Sequence, residues 1–137
     1  MLALPVTPDG RIVLVRQCRH GTHNLSWEPP GGIIDPGENP VCAAQRELAE
    51  ETGYIGKNAR IVGACSPNPA IFDNTSHFVL IEDCKPDGVT HPDANEELET
   101  GVFTVREAEA MTLNGEMHHA IAHTALFHLR HARPDLF

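Results

Sequence analysis

Residues Gly32–Tyr54 read GIIDPGENPVCAAQRELAEETGY, and this stretch decides how the chain is understood. A glycine stands at Gly32 and a glutamate at Glu38; Arg46-Glu47, Glu50-Glu51 and Gly53 follow. Asn39 suits an N-cap, Pro40 suits the first helical position and Gly53 suits the C′ position, so a helix is predicted between them. Ala, Leu, Gln, Arg and Glu, all good helix formers, fill it. At 100° per residue, Glu47, Glu50 and Glu51 share an arc of about 100°. Val41, Ala44, Leu48 and Thr52 share the neighbouring arc, which is predicted to face the core.

Three carboxylates so close are locally unfavourable. Glu47 and Glu51 are like charges at i,i+4, and they lie near the negative end of the helix dipole. A local rule broken without local compensation marks a functional site. A divalent cation would relieve it, and hard oxygen donors favour Mg²⁺ or Mn²⁺ over zinc or copper. Arg46 precedes Glu50 by one turn and can orient a carboxylate. Gly31, Gly32 and Gly37 allow a sharply turning backbone beside these acids. A solvated acidic face explains the helix alone equally well; the glycine-rich loop ahead of it tips the balance.

Outward from this stretch the chain reads as strands mixed with helices. Leu2–Val6 and Arg11–Gln17, separated by the turn Pro8-Asp9-Gly10, are predicted to form a hairpin. Residues 19–25 read as a polar loop, and Trp27–Gly37 (WEPPGGIIDPG) is too rich in Pro and Gly for a helix, with a brief strand at Ile33-Ile34. RIVGAC (60–65), HFVLIE (77–82) and ELETGVFTV (97–105) read as strands. Arg106–Met111 begins a short helix that Asn114-Gly115 breaks, and Glu116–Arg130 reads as a longer helix with Ile121, Ala125 and Leu129 on one stripe. The pattern suggests a mixed sheet covered by helices, in a single domain spanning 1–137.

The formal charge of −9 argues against a broad nucleic-acid surface, but not against a small anionic substrate held through a metal. Cys18, Cys42, Cys65 and Cys84 lack C-x-x-C spacing and are expected to be free thiols in or near the core. The opening MLALPVTPDG lacks a basic n-region, and no apolar run reaches the length of a membrane span, so a cytoplasmic setting is expected. His119 and His123 are spaced i,i+4 as in some zinc sites, but no third ligand with convincing spacing follows, and a partly exposed helical face is the better reading.

The spacing Gly-x5-Glu-x7-Arg-Glu-Leu-x-Glu-Glu-x-Gly-Tyr, filled at every fixed position from Gly32 to Tyr54, resembles the Nudix box of the Nudix (MutT-like) hydrolases. The resemblance implies a Nudix-type α/β/α sandwich with a mixed β-sheet. It implies metal-dependent hydrolysis of the diphosphate linkage in a nucleoside diphosphate joined to another moiety. Carried over by position, Glu47, Glu50 and Glu51 would ligate Mg²⁺ or Mn²⁺ with the Gly32 carbonyl, while Glu38, Gly37, Arg46 and Gly53 would support loop and helix. Glu47, Glu50 and Arg46 would also be catalytic. The general base is left open among Glu50, Glu96, Glu97 and Glu99.

LVRQCRHG, WEPPGG and SPNPAIFDNTSHFVL look like the ADP-ribose and nucleotide-sugar pyrophosphatase branch, in which Pro67 or Pro69 could fill a proline position after the box. Two departures stand out: Pro29-Pro30-Gly31 replaces the commoner Leu-Pro-Ala or Leu-Pro-Gly, and the long N-terminal extension of many such enzymes is missing. Arg16, Arg19 and Glu28 are candidate substrate-binding residues. Trp27, the only tryptophan, could pack at the base of the site. A nucleoside triphosphate pyrophosphohydrolase and a catalytically silent nucleotide-binding module remain as alternatives. Dimers are common in the family, so a homodimer is left open.

Overall fold

The computed structural model of the protein describes residues 1–87 and 98–137. Among the described residues, six strands and three α-helices follow one another: β1 Leu2–Pro5, β2 Arg11–Arg19, β3 Asn24–Glu28, α1 Pro40–Thr52, β4 Tyr54–Cys65, β5 Ser76–Pro86, β6 Glu99–Thr104, α2 Val105–Asn114 and α3 Ala120–Ala132. A 3₁₀ turn at Pro134–Leu136 follows.

The strands form two three-stranded sheets, ordered β1-β5-β4 and β3-β2-β6. The first is mixed: β1 runs parallel to β5, and β4 runs antiparallel to it. The second is antiparallel throughout. Alternation along β1 and β5 divides the core. Leu2, Leu4, Phe78 and Leu80 face α2 and α3, together with Ile12, Leu14 and Met117. Ala3, Val79 and Ile81 face the other way, onto Ala44 and Leu48 of α1. Helices on opposite faces of the strands make the expected α/β/α sandwich.

Several local expectations change. The β1–β2 hairpin is not formed; β1 pairs in parallel with β5, and only a Val6–Ile12 bridge links it to β2. The reason is burial on both faces. All four residues of β1 are buried, as in a parallel strand rather than a half-exposed hairpin arm. The Thr7–Gly10 turn is nevertheless real: Gly10 adopts φ 79° and donates to the Thr7 carbonyl at 2.9 Å.

The expected loop from Arg19 is instead the end of β2 and a short turn into β3, which also takes up Trp27 and Glu28. Ile33 and Ile34 form no strand, and Ile33 is exposed. The last helix starts at Ala120 rather than Glu116, because backbone groups before it bond elsewhere. Trp27 N–H donates to the Glu116 carbonyl and Met117 N–H to the Met111 carbonyl. Cys84 is buried and Cys65 half-buried, but Cys18 and Cys42 are exposed, lying on the outer end of β2 and the outer side of α1. All four are free thiols.

Candidate active site

Helix α1 is delimited as its sequence dictates. Asn39 Oδ1 accepts from Val41 N–H at 2.8 Å, Pro40 occupies the first turn, and Gly53 at φ 68° donates to the Ala49 carbonyl. Ala43, Ala44 and Leu48 are buried, the last two against Ala3 of β1 and Val79 and Ile81 of β5. That burial fixes the rotation of the helix and turns Arg46, Glu47, Glu50 and Glu51 toward the loop that enters it.

Arg46 organises the site. Its Nε and Nη2 donate to Glu38 Oε1 at 3.2 Å and Oε2 at 3.1 Å, a two-pronged grip on the loop. Nη2 also reaches the Ile33 carbonyl at 3.3 Å. Nη1 is shared by Glu47 Oε1 at 2.9 Å and Glu50 Oε2 at 3.1 Å. One cation therefore holds loop and helix together and offsets the repulsion between two of the acids. The hydrogen bond from Arg46 holds Glu38 below the ordinary carboxylate range, with the Asp35 backbone N–H helping. Glu38 in turn raises the Arg46 guanidinium above its ordinary value, and Glu47 adds to this. Gly37, at φ 85°, closes the turn that brings Glu38 back toward α1.

The glycines set the opposite wall. Glu51 Oε2 accepts from Gly31 N–H at 2.9 Å. A Cβ at Gly32 would stand 2.6 Å from Glu47 Cδ and 2.9 Å from its Oε2, so this carboxylate rests directly on the Gly32 backbone. The loop is held from the other side by β1 and the residue before it: Ala3 N–H donates to the Pro30 carbonyl at 2.8 Å, and the Met1 nitrogen to the Gly32 carbonyl at 2.6 Å. Glu47 is mostly enclosed, while Glu50 is exposed.

The donors suit a hard divalent cation. They are carboxylate oxygens, two of them share a single positive centre, and a glycine leaves room where any other side chain would intrude. As the side chains stand, that positive centre is Arg46, and among the described residues no three acidic, histidine or cysteine side chains gather around one point.

The other expected residues form two separate groups. Arg16, in register with Trp27 and Glu99, donates from Nη1 to Glu99 Oε2 at 3.1 Å and lies 5.9 Å from the indole centroid. Trp27 meets Phe103 edge-on at 4.9 Å. Arg19 donates from Nε to Glu28 Oε1 at 3.0 Å and from Nη2 to Oε2 at 2.6 Å. Glu28, expected at the substrate, is fully buried instead, with His119 Nδ1 as a third partner at 2.6 Å. Burial pushes the Glu28 carboxyl up, but the bonds from His119 and Arg19 outweigh it and hold the group at about 2. Glu97 and Glu96 lie outside the described residues.

His119 is the residue the sequence did not offer for this role. It stands 91 positions from Glu28, and no local pattern encodes that pairing. His123 bonds the Met117 carbonyl through Nε2 at 2.6 Å, so neither histidine lies idle on a helix face.

A model of the NUDIX domain matches residues 1–124. The chain belongs to the NUDIX family. It is 38% identical over 80 residues to the ADP-ribose pyrophosphatase of Bacillus subtilis (strain 168), covering 58% of this chain and 43% of that one. It is 30% identical over 118 residues to the ADP-ribose pyrophosphatase of Mycobacterium tuberculosis (strain ATCC 25618 / H37Rv), covering 83% and 56%. The crystal structure of an ADP compounds hydrolase superposes with a TM-score of 0.86 at 25% identity, covering 98% of this chain and 71% of that one. The chain spans less than half the length of the first curated relatives it matches. No described helix is long and apolar enough to cross a membrane.

Proposed function

We propose that this NUDIX chain hydrolyses the diphosphate linkage of ADP-ribose or a nucleotide sugar, with Glu47, Glu50 and Glu51 holding Mg²⁺ or Mn²⁺. The observation that carries the reading is the shared grip of Arg46 on Glu47 and Glu50, beside a Gly32 backbone that leaves no space for a side chain. The names of the relatives point to the same substrates. A divalent ion bound there would neutralise phosphate charge and acidify a water.

The chain's own groups do the rest. Arg46 keeps the loop and the acids in register, and the mostly enclosed Glu47 stays against Gly32. Glu50, the more exposed of that pair, is the group we assign to water activation. Arg16 and Arg19 supply guanidinium groups for phosphate oxygens, the first beside the Trp27 ring. We read residues 1–137 as one domain acting on a small molecule in the cytoplasm; the net charge of −9 disfavours nucleic acid.

A substrate panel tests the reading. ADP-ribose, nucleotide sugars and deoxynucleoside triphosphates are incubated with the protein and Mg²⁺ or Mn²⁺, and phosphate is measured after phosphatase coupling. Release from ADP-ribose or a sugar nucleotide is expected. Release from triphosphates alone would move the assignment to a triphosphate pyrophosphohydrolase. Binding of ADP-ribose without turnover under either metal would make the chain a binding module.

A further inference from the structure

Glu28 closes one end of a five-residue segment, Glu28-Pro29-Pro30-Gly31-Gly32, whose other end forms the wall of the acidic site. Its carboxylate is fully buried and gripped from two directions. Arg19, from the end of β2, takes both oxygens, and His119, at the start of α3, takes Oε2 again through Nδ1. Three elements thus meet on one buried acid. Nearby bonds tie the same elements together. Trp27 N–H donates to the Glu116 carbonyl at 2.8 Å, His118 N–H to Ser26 Oγ at 3.4 Å, and Thr22 Oγ1 lies 3.1 Å from His118 Nε2.

The chemistry of the acid fixes the state of the histidine. A carboxylate that accepts a two-pronged arginine is ionised and can only accept. A ring nitrogen 2.6 Å from its oxygen must therefore carry the hydrogen. His119 is consequently protonated on Nδ1. The side chain does nothing for its own helix: His119 is the N-cap residue of α3 but caps no backbone N–H. Its ring is also partly exposed.

We propose that His119 is a positioning residue: its Nδ1–H, donated to Glu28, fixes the Arg19 guanidinium and the Glu28–Gly32 segment, and through Gly31 and Gly32 sets the seats of Glu51 and Glu47. The transmission is short. Two consecutive prolines stiffen the segment, so displacement of Glu28 is carried to the glycines rather than absorbed. The consequence for turnover rests on the diphosphatase reading above; the consequence for the loop does not.

Four proteins test this: the wild type, His119→Ala, His119→Asn and His119→Gln. An asparagine amide nitrogen hangs on Cγ, as Nδ1 does, whereas that of glutamine lies one bond further out. Long-range ¹H–¹⁵N NMR of the wild type is expected to show a proton on Nδ1 of His119. Removing one charge-assisted donor in His119→Ala should speed hydrogen exchange at Gly31 N–H by about tenfold. It should lower kcat/KM on ADP-ribose by roughly tenfold. His119→Asn should recover both readouts and His119→Gln neither. A bare Nδ1, wild-type exchange and turnover in the alanine variant, or equal recovery by glutamine would overturn the proposal. If the alanine variant does not fold, the Asn–Gln pair decides. If the wild type cleaves no diphosphate, only the diphosphatase reading falls, because the NMR and exchange readouts still judge His119.

Discussion

Replacing Gly32 by alanine separates the site's chemistry from the fold's stability. The added Cβ would lie 2.6 Å from Glu47 Cδ, where carbon atoms prefer about 3.5–4.0 Å. The obstacle is the end of a flexible side chain, so the carboxylate retreats by about 1 Å rather than the backbone. An off-rotamer glutamate costs about 0.5–1.5 kcal/mol, and a loosened, partly exposed Arg46–Glu47 pair adds at most about 1 kcal/mol. Gly32 does not sit at positive φ, so stiffening the unfolded chain returns about 0.4–1 kcal/mol. The net loss is about 1 kcal/mol, a fall in Tm of a few degrees. Turnover should suffer far more, because a ligand displaced by about 1 Å costs on the order of 10²-fold. Gly31→Ala is the control. Its Cβ would lie 3.0 Å from Leu2 Cα and closer still to the Met1 carbonyl oxygen, both backbone atoms, so stability should fall by about 3 kcal/mol. Urea titration, Mn²⁺ calorimetry and the coupled phosphate assay measure all three quantities. Wild-type turnover and Mn²⁺ affinity in Gly32→Ala would refute the reasoning, as would a stability loss matching that of Gly31→Ala.

Glu50→Gln should lower turnover by orders of magnitude while unfolding within about 0.5 kcal/mol of the parent, since it gives up one exposed i,i+4 pair; near-parental kcat would remove Glu50 from the mechanism. Glu28, whose folded value of about 2 lies below the ordinary 4.5, contributes stability above the ordinary value, and that contribution is lost as pH falls through about 2. Glu28→Gln should therefore flatten the acid limb of a stability–pH curve between those values and cost about 3 kcal/mol at neutral pH; an unchanged acid limb contradicts this. Mg²⁺ or Mn²⁺ at a hundred times its Kd should stabilise the native state by about 2.7 kcal/mol, and this shift should vanish when Glu47 and Glu50 are both changed to glutamine. A Tm indifferent to millimolar metal counts against the site.

The parts of the molecule legible in the sequence are those determined by neighbours along the chain. Asn39, Pro40 and Gly53 delimit α1 because caps are local hydrogen bonds, and the Thr7–Gly10 turn follows from a glycine at positive φ. Arg46 and its acids were readable because helical periodicity brings them together. The features hidden in the sequence depend on distant partners. β1 reads as a hairpin arm of β2 because its parallel mate lies far along the chain, beginning at Ser76. Glu28 reads as a candidate substrate-binding residue because nothing near it in the chain announces His119. The late start of α3 follows from backbone groups of Glu116, Met117 and His118 being engaged by β3 and α2.

The placement of β1 also governs the order of assembly. Leu2–Pro5 takes its strand partner from Phe78–Ile81, so during synthesis β1 waits without its parallel neighbour until β5 has emerged. Closing so long a loop is slow and leaves a sticky edge in the meantime. Pro30 is bonded to Ala3, and Gly31 is bridged to Leu2. The glycine wall beside the acids is therefore braced by the same strand that pairs with β5, and the proposed activity should return only once β1 has settled between the two.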